Sequence, residues 1–564
     1  MDTQTKTVTF CACVAALMAA NTAQADGETA AATPRNLKWV YAGEAFEAPA
    51  NWTWAAEPAG DITTGPGEKD AVRFWGLATA NAGAENTVRL AADVSVSNFN
   101  YDVQRASGKL VVDLGGKALT VLGNMNLTTD RANLNTDGIT FRDGKVRVTG
   151  NAKGTANQYS QKYEDYGGFY VNLPGNSYAG LNCVLDNAVL DISSTNLPMA
   201  AYHSTGGVLG SSGAFCRTNH FTLVNGSEIR ANRFTFDVQR INAPTHAIVD
   251  VKNSKMTIYD EAKTGAQTFN VLICQGGGSL DMLFREGGSL EAGQIRARGD
   301  MSFLFDGGNH VLRGALNWGD DEALYLSGSR LTVANGAILD IQRGAKMQNG
   351  TVVEVRENAS LSSRKANAAF SVGMRYNAPS TAAGLCTLLV DGGIVSFPHI
   401  SFGSHFVSSD GTQVETYGDN CLRVVGPLSR VEQTQEKLDG AMSGMAFNYG
   451  TKVSFEIPAE GYHDADGVAR APVYTAGAFR STTTESCRPI GLALATKAFD
   501  RANPKKSVTL LQAAADSRTV FELLMANVTW TDNPNRHGAL SVSEDGKSLV
   551  YTADVRQGLA VIIR

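Results

Sequence analysis

A six-residue pattern of apolar and polar positions recurs through most of the chain: apolar, any residue, Asn/Asp/Gly, usually a small residue, any residue, apolar. The pattern occupies 114–119, 141–146, 185–190, 251–256, 326–331, 333–338 and 390–395, with versions one residue longer at 223–229, 284–290, 305–311 and 355–361. Because Gly and Asn tolerate positive φ, each copy is interpreted as a tight corner between two short strands. Corners repeated this often indicate a repeat architecture.

Between the corners, apolar and polar residues alternate with strand periodicity, and helical periodicity is nearly absent. The apolar ends of successive corners are 20 to 34 residues apart over 256–395, a spacing typical of one β-helix coil with loops of variable length. We therefore predict an all-β, right-handed parallel β-helix (β-solenoid) of about 12 coils and about 60 Å. Unrelated hairpins in a β-sandwich are the alternative, since they also need Asn-Gly turns.

The composition along the chain predicts five segments. Residues 1–25 are interpreted as a signal peptide and 26–38 as a disordered linker. Four tryptophans in residues 39–85 predict an N-terminal aromatic cap that shields the open end of a solenoid core: Trp39, Trp52, Trp54 and Trp75. The parallel β-helix is expected over 86–430, followed by a C-terminal β-rich module over 431–564.

Charge and hydropathy indicate an exported protein. Lys6, the apolar run 8–20 and Ala23-Gln24-Ala25 form a signal-peptide pattern with a cleavage site. No other apolar stretch reaches the length of about 18 residues needed for a membrane span, so no transmembrane segment is expected in the mature chain. The net charge is −6 over 564 residues without a Lys/Arg block, which argues against a nucleic-acid partner.

Six cysteines follow the predicted cleavage site, and an exported chain permits disulfides. The favoured pairs are Cys183–Cys216 and Cys386–Cys421, because each pair is separated by roughly one coil plus a loop. Buried free thiols in apolar strands are the alternative.

Three segments interrupt the corner pattern, at 155–182, 197–220 and 363–385, and binding residues are expected on the first two. The first is rich in aromatic residues, which stack on sugar rings and anchor protein interfaces. Its candidate binding residues are Tyr159, Tyr163, Tyr166, Phe169, Tyr170 and Tyr178. The alternative is a loop that folds its rings back onto the rod. No catalytic residue is predicted. Asp464 and Asp466 are the one candidate Ca²⁺ site, and no other cofactor is expected.

The N-terminal segment carries a resemblance to a known family. Trp52 and Trp54, then Gly65-Pro-Gly-Glu-Lys-Asp70 and Phe74, precede short strands with Asn-Gly corners. This arrangement over 39–430 resembles the passenger regions of autotransporter-like bacterial surface proteins, within the pectin-lyase-like superfamily of right-handed β-helices. The resemblance implies an exported bacterial surface protein, often an adhesin.

These observations predict a non-enzymatic, adhesin-like surface protein that binds a glycan or a partner protein surface. Its location is expected to be extracellular, at the cell surface or periplasmic, and its oligomeric state is left open. A polysaccharide lyase or glycoside hydrolase is one alternative, because β-helices also carry such sites. Asn135-Thr-Asp-Gly138 and Asp320-Asp321 match polygalacturonase motifs only in part and lie too far apart for adjacent coils. A structural rod or spacer is the other alternative.

Overall fold

The computed structural model describes most of the chain after residue 33. The described residues are 34–55, 61–75, 85–103, 109–129, 138–149, 168–171, 181–193, 199–205, 218–239, 246–261, 270–276, 278–314, 322–373, 385–403, 405–407, 413–415, 420–438, 441–442, 444–448, 450–481, 489–532 and 537–554.

Most coils contribute one strand to each of three ladders, and most neighbours within a ladder pair in parallel. Ladder 1 contains β4 (Glu85–Arg89), β7 (Lys109–Asp113), the first halves of β10 (Gly138–Val148) and β12 (Asn182–Asp191), β14 (Thr218–Val224), β17 (His246–Lys252), β20 (Ser279–Arg285), β23 (Asp300–Asp306), β26 (Arg330–Ala334), β29 (Val352–Arg356), β32 (Thr387–Asp391), β37 (Cys421–Val425), β42 (Lys452–Glu456), β44 (Gly491–Ala495) and β46 (Val528–Trp530).

Ladder 2 follows ladder 1 across the predicted corner. It contains β5 (Val94–Val96), β8 (Ala118–Val121), the second halves of β10 and β12, β15 (Glu228–Arg230), β18 (Lys255–Ile258), β21 (Ser289–Ala292), β24 (Asn309–Leu312), β27 (Ile338–Ile341), β30 (Ser360–Ser362), β33 (Ile394–Phe397), β38 (Arg430–Gln433), β43 (Val473–Thr475) and β45 (Ser507–Ala513), and ends with antiparallel β48 (Ser548–Thr552) and β47 (Ala539–Val542).

Ladder 3 is a 15-stranded sheet, which at about 4.8 Å per strand gives a rod of about 65 Å. Its strands in spatial order are β2 (Trp52–Trp54), β1 (Asn36–Trp39), β3 (Ala71–Trp75), β6 (Asn98–Val103), β9 (Met125–Thr129), β11 (Gly168–Val171), β13 (Met199–Thr205), β16 (Arg233–Gln239), β19 (Val271–Gly276), β22 (Gln294–Arg298), β25 (Glu322–Ser327), β28 (Gly344–Gln348), β31 (Ala369–Val372), β34 (His399–Phe402) and β41 (Ala446–Phe447). Two small hairpins pair β35 (His405–Val407) with β36 (Gln413–Glu415) and β39 (Lys437–Leu438) with β40 (Ala441–Met442). The predicted parallel β-solenoid is confirmed.

The corner pattern has the conformation that the sequence predicted. The third residue of every copy has positive φ, from +44° at Asn253 to +80° at Gly116. Side-chain amides connect successive corners: Asn187 Nδ2 donates to Asp143 Oδ1 at 2.7 Å, and Asn225 Nδ2 donates to Asp186 Oδ1 at 2.6 Å. The corners therefore set both the turn geometry and the stacking of neighbouring coils.

The inward-facing residues of the three ladders form one continuous apolar core. Phenylalanines of adjacent coils stack along it, with ring centroids 5.1 Å apart for Phe284 and Phe305 and 5.0 Å apart for Phe370 and Phe397. Such aromatic pairs add about 0.5–1.5 kcal/mol beyond the area they bury. Contacts between coils thus contribute to the stability of the core.

The N-terminal end of the rod is closed by aromatic residues, as predicted. Strand β2 lies antiparallel to β1 at the edge of ladder 3, and residues 44–46 pair with the first strand of ladder 1. The rings of Trp39 and Trp52 are buried 5.0 Å apart, and the Trp52 indole donates to Phe46 O at 2.6 Å. This edge-to-face packing covers the first coil.

Parallel pairing continues beyond residue 430, so coils also stack within the predicted C-terminal module. Two short helices join them there: α1 (Lys497–Ala502) and α2 (Arg518–Ala526). Phe521 of α2 packs against Phe479 with ring centroids 5.6 Å apart, which covers the end of the core. A hairpin turn at 544–547 joins β47 to β48.

The prediction of a Cys386–Cys421 disulfide is wrong, because both thiols are free. The two residues do lie on adjacent coils, where Cys421 N donates to Cys386 O at 2.9 Å. However, Cys421 is in register with Thr387, and successive side chains of a strand point to opposite faces. Cys183 is also free and buried, and its predicted partner Cys216 lies outside the described residues.

Candidate functional site

The outward faces of ladders 1 and 2 carry charges that neutralise one another between coils. Ion pairs join Lys145 to Asp191 (2.7 Å), Arg142 to Asp186 (3.2 Å), Arg285 to Asp250 (2.7 Å), Lys255 to Glu291 (2.9 Å) and Arg330 to Glu354 (2.9 Å). Partly exposed pairs of this kind contribute about 0–1 kcal/mol each, so they indicate a solvated structural surface.

The outward face of ladder 3 differs over β22, β25, β28 and β31. The strand register places Arg296, Tyr325, Lys346 and Ser371 in one row across four successive coils. All four side chains point away from the core, because their strand neighbours are the buried core residues. Lys346 is nevertheless only 2% exposed and Arg296 8% exposed. Charged groups this deeply placed seldom occur unless they are paired, and Lys346 pairs with Glu322.

The ring of Tyr325 lies close to two arginines of β22. The guanidinium carbons of Arg296 and Arg298 lie 5.3 and 5.6 Å from its centroid. Gln348 of the next coil donates a hydrogen bond to the Tyr325 hydroxyl. Cation–π contacts of this kind contribute about 0.5–2 kcal/mol and fix the guanidinium planes. Arg298 remains exposed, so one cation of the group faces solvent.

A β-bulge between Glu322 and Leu324 turns the Glu322 side chain toward Lys346, with the ammonium 3.7 Å from Glu322 Oε1. The amide of Gln294 donates to the backbone carbonyl of Glu322 at 2.6 Å and fixes the start of β25. Glu322 Oε2 is buried without a hydrogen-bond partner among the described residues. β-Bulges are over-represented beside active sites.

A cleft of about 410 Å³ continues from Glu322 along this face, within the usual range for small-molecule sites. It is lined by Glu322, Arg343, Gly344, Lys365, Ala366, Asn367, Ala368, Ala369 and Ser371. The loop that carries Lys365 and Asn367 is held in place, because Lys365 N donates to Ser363 Oγ (3.3 Å) and Asn367 N donates to Gln435 Oε1 (3.2 Å). The cleft therefore has a fixed wall.

Arg343 on the opposite wall depends on a glycine. Gly314 has φ +90°, and a Cβ there would collide with Cδ of Arg343. The arginine stem therefore packs where a larger residue at 314 would displace it.

We call Arg296, Arg298, Arg343, Lys346 and Lys365, with Tyr325 and Glu322, the cationic face. Its described residues comprise five cations and one carboxylate, Glu322, which pairs with Lys346. Arginine forks bind carboxylate, sulfate and phosphate groups in two-point geometry. The arrangement of the described residues therefore favours the binding of an anionic group.

The prediction that Phe169 belongs to an exposed binding surface is wrong. Phe169 is 1% exposed in β11, and its ring centroid lies 6.1 Å from that of Phe221 in the core. Its strand pairs in parallel with β9 and β13, so alternation directs it inward. Tyr170 lies in the same strand. Tyr159, Tyr163, Tyr166 and Tyr178 lie outside the described residues.

Asp464 and Asp466, the candidate Ca²⁺ ligands, lie in a hairpin turn. Asp464 Oδ1 accepts hydrogen bonds from the amides of Asp466 (3.0 Å) and Val468 (2.9 Å), and the bond from Val468 is the main cause of the lowered pKa of Asp464. One carboxylate oxygen of Asp464 thus stabilises the turn. Within the described ranges, no three His, Cys, Asp or Glu side chains are grouped as metal ligands.

The sequence offered little signal for the cationic face. Its members are scattered over 296–365, and most of them occupy polar positions of alternating strands. Arg343 and Lys365 lie in connections between strands, and Lys365 falls in 363–385, a segment that interrupts the corner pattern. Only the register between coils brings them together. The acidic pair Asp320-Asp321 and Asn135 lie outside the described residues.

No protein family model, curated protein or solved structure matches this chain. In the described part of the chain, neither helix has the length and apolar character needed to cross a membrane. The cationic face is therefore interpreted from its own geometry.

Proposed function

We propose that the chain is an exported bacterial surface β-helix protein, similar to autotransporter passengers, which binds a glycan through the cationic face without catalysis. The observation that supports this proposal is the concentration of five cations around Tyr325 and a 410 Å³ cleft. A glycan that carries carboxylate or sulfate groups matches this charge.

The length of the face supports a polymeric ligand. The row from Arg296 to Ser371 crosses four coils, about 15 Å at the usual strand spacing. Repeated acidic groups along a polysaccharide can pair with cations on successive coils, and several weak contacts then add up. This is an adhesin-like mode of binding, in which affinity comes from a surface rather than from one deep pocket.

A glycan array with the mature protein tests the proposal. The double variant Arg298→Ser/Lys365→Ser removes two exposed cations of the cationic face. The matched control Arg230→Ser/Arg423→Ser removes two exposed cations from ladders 2 and 1. Each charge-assisted contact contributes about 1.5 kcal/mol, so we expect the first variant to bind acidic glycans about 100-fold more weakly and the control to bind normally. Equal binding by all three proteins would exclude the cationic face as the binding surface.

The enzymatic alternative rests on the buried Glu322–Lys346 pair beside the cleft. Incubation with a panel of polysaccharides, followed by assays for reducing ends and unsaturated products, tests it. Turnover that disappears in Glu322→Gln would establish a catalytic role and contradict the non-enzymatic proposal. The structural-rod alternative predicts neither binding nor turnover.

A further inference from the structure

A second cleft lies near the C-terminal end of the rod, between residues 458–470, helix α1 and strand β45. Its volume is about 250 Å³, and it is lined by Glu460, Gly461, Tyr462, Ala469, Arg470, Phe499, Asn503, Lys506, Ser507, Val508 and Thr509. We call it the C-terminal cleft. It is separate from the cationic face in both sequence and ladder.

Local hydrogen bonds fix the walls of the C-terminal cleft. Around the Asp464 turn, Arg470 N donates to Tyr462 O at 3.1 Å, so the hairpin presents Arg470 in a defined position. On the other wall, the side-chain amide of Asn503 donates to Ala459 O and ties the end of α1 to the hairpin. The cleft is thus formed before any ligand arrives.

The charge of Arg470 is only weakly compensated. Its guanidinium makes no ion pair with another described residue. Burial is the main cause of the lowered pKa of Arg470, and repulsion from Arg430 lowers it further. Attraction from Asp464 and Glu432 opposes this shift only in part. Those two carboxylates are already engaged, since Glu432 accepts from Arg430 at 2.8 Å and Asp464 accepts from the amides of its turn. A bound anion would supply the missing countercharge.

The remaining lining combines a second cation with an apolar floor. Lys506 contributes an exposed ammonium, and Glu460 is the one carboxylate among the described lining residues. Next to Gly461 the floor is formed by Phe499 and Val508, whose atoms would lie 3.5 and 3.8 Å from a Cβ at that glycine. Two cations above an apolar floor fit an anionic group attached to a compact organic body.

We propose that the C-terminal cleft binds a small organic oxyanion, whose carboxylate, sulfate or phosphate group contacts Arg470 and Lys506 while its body packs on Phe499 and Val508. This site is independent of the proposed glycan binding by the cationic face. Occupation would stabilise the folded end of the rod, because a ligand that binds only the native state raises the unfolding temperature.

Isothermal titration and thermal unfolding at fixed ionic strength test the proposal. The probes are glucuronate, glucose 6-sulfate and glucose 6-phosphate, which share one ring and differ in the anion, with neutral glucose as the control. We expect saturable binding and a raised unfolding temperature with at least one anionic probe and neither effect with glucose. The probe that binds most tightly identifies the anionic group that the cleft prefers. If none of the anionic probes binds saturably, the proposal is wrong.

Variants then locate the binding. Arg470→Gln and Lys506→Gln are expected to weaken the binding of the active probe at least tenfold. Arg501→Gln on α1, an exposed arginine that does not line the cleft, is the matched control and should bind normally. Arg470→Gln breaks no ion pair with a described carboxylate. The unfolding temperature of this variant without ligand should therefore match that of the wild type. Unchanged affinity in both cleft variants would place the probe elsewhere and overturn the assignment.

Discussion

The pH dependence of stability tests whether His310, in the corner at 305–311, is part of the buried core. The ring is fully buried between Phe284 and Phe305, at centroid distances of 5.6 and 4.5 Å. Nδ1 accepts a hydrogen bond from Leu290 N–H at 3.3 Å, so Nε2 carries the proton and donates to Gly307 O at 2.9 Å. Both nitrogens of the neutral ring are therefore satisfied, and burial lowers the pKa of His310 to about 4.

The sign of the pH effect follows from this lowered pKa. In the unfolded chain His310 takes up a proton near its ordinary pKa of about 6.5, whereas the native ring stays neutral down to about 4. Acidification through this interval therefore favours the unfolded state. At about 1.36 kcal/mol per pH unit, the native state loses about 3 kcal/mol of stability from this one residue.

Urea unfolding of the wild type and of His310→Gln at pH 7, 5.5 and 4 measures the effect. The variant cannot titrate, and the other acid-sensitive groups contribute equally to both proteins. We expect His310→Gln to be less stable at pH 7, because it loses ring packing, but to lose about 3 kcal/mol less than the wild type between pH 7 and pH 4. If the free energy of unfolding fell equally with pH in both proteins, the claim that His310 is buried and neutral in the native state would be refuted.

Three further predictions concern stability and are checked by thermal or urea unfolding. Glu286 sits at a corner with φ +53°, where Asn is better tolerated, so Glu286→Asn should stabilise the fold by about 0.5–1 kcal/mol; a loss would contradict the corner assignment. Phe169→Ala should cost about 3–5 kcal/mol, as for a core phenylalanine, and a neutral effect would restore its predicted place in an exposed loop. Gly288→Ala should cost more than 2 kcal/mol, because a Cβ there would collide with the carbonyl of Val251 in the preceding coil; a change under 0.5 kcal/mol would show that the coils can move apart.

The fold was predictable because the conformation of a corner depends mainly on the residues within that corner. Positive φ at the third position needs only Gly, Asn or Asp there, and most copies have one. The two exceptions, Glu286 and Glu357, adopt the same conformation because neighbouring coils impose it. Beyond residue 430 the long connections between strands hide the repeat, so the continued coils and the two helices were not predicted.

The candidate site was not predictable in the same way. Arg296, Tyr325 and Lys346 are about one coil apart, and nothing in the sequence specifies which residue of one coil faces which residue of the next. A shift of one residue in register would turn each of them toward the core. Phe169 was misassigned for the related reason that an aromatic cluster does not show which of its rings lies in a strand.

Hydrogen exchange with mass spectrometry, with and without an acidic polysaccharide identified on the glycan array, tests the central claim most directly. If the cationic face is the binding surface, exchange should slow in 322–327 and 363–371 and stay unchanged in the outward segments of ladders 1 and 2. Protection confined to 155–182, or binding without any protection in 322–371, would contradict the account.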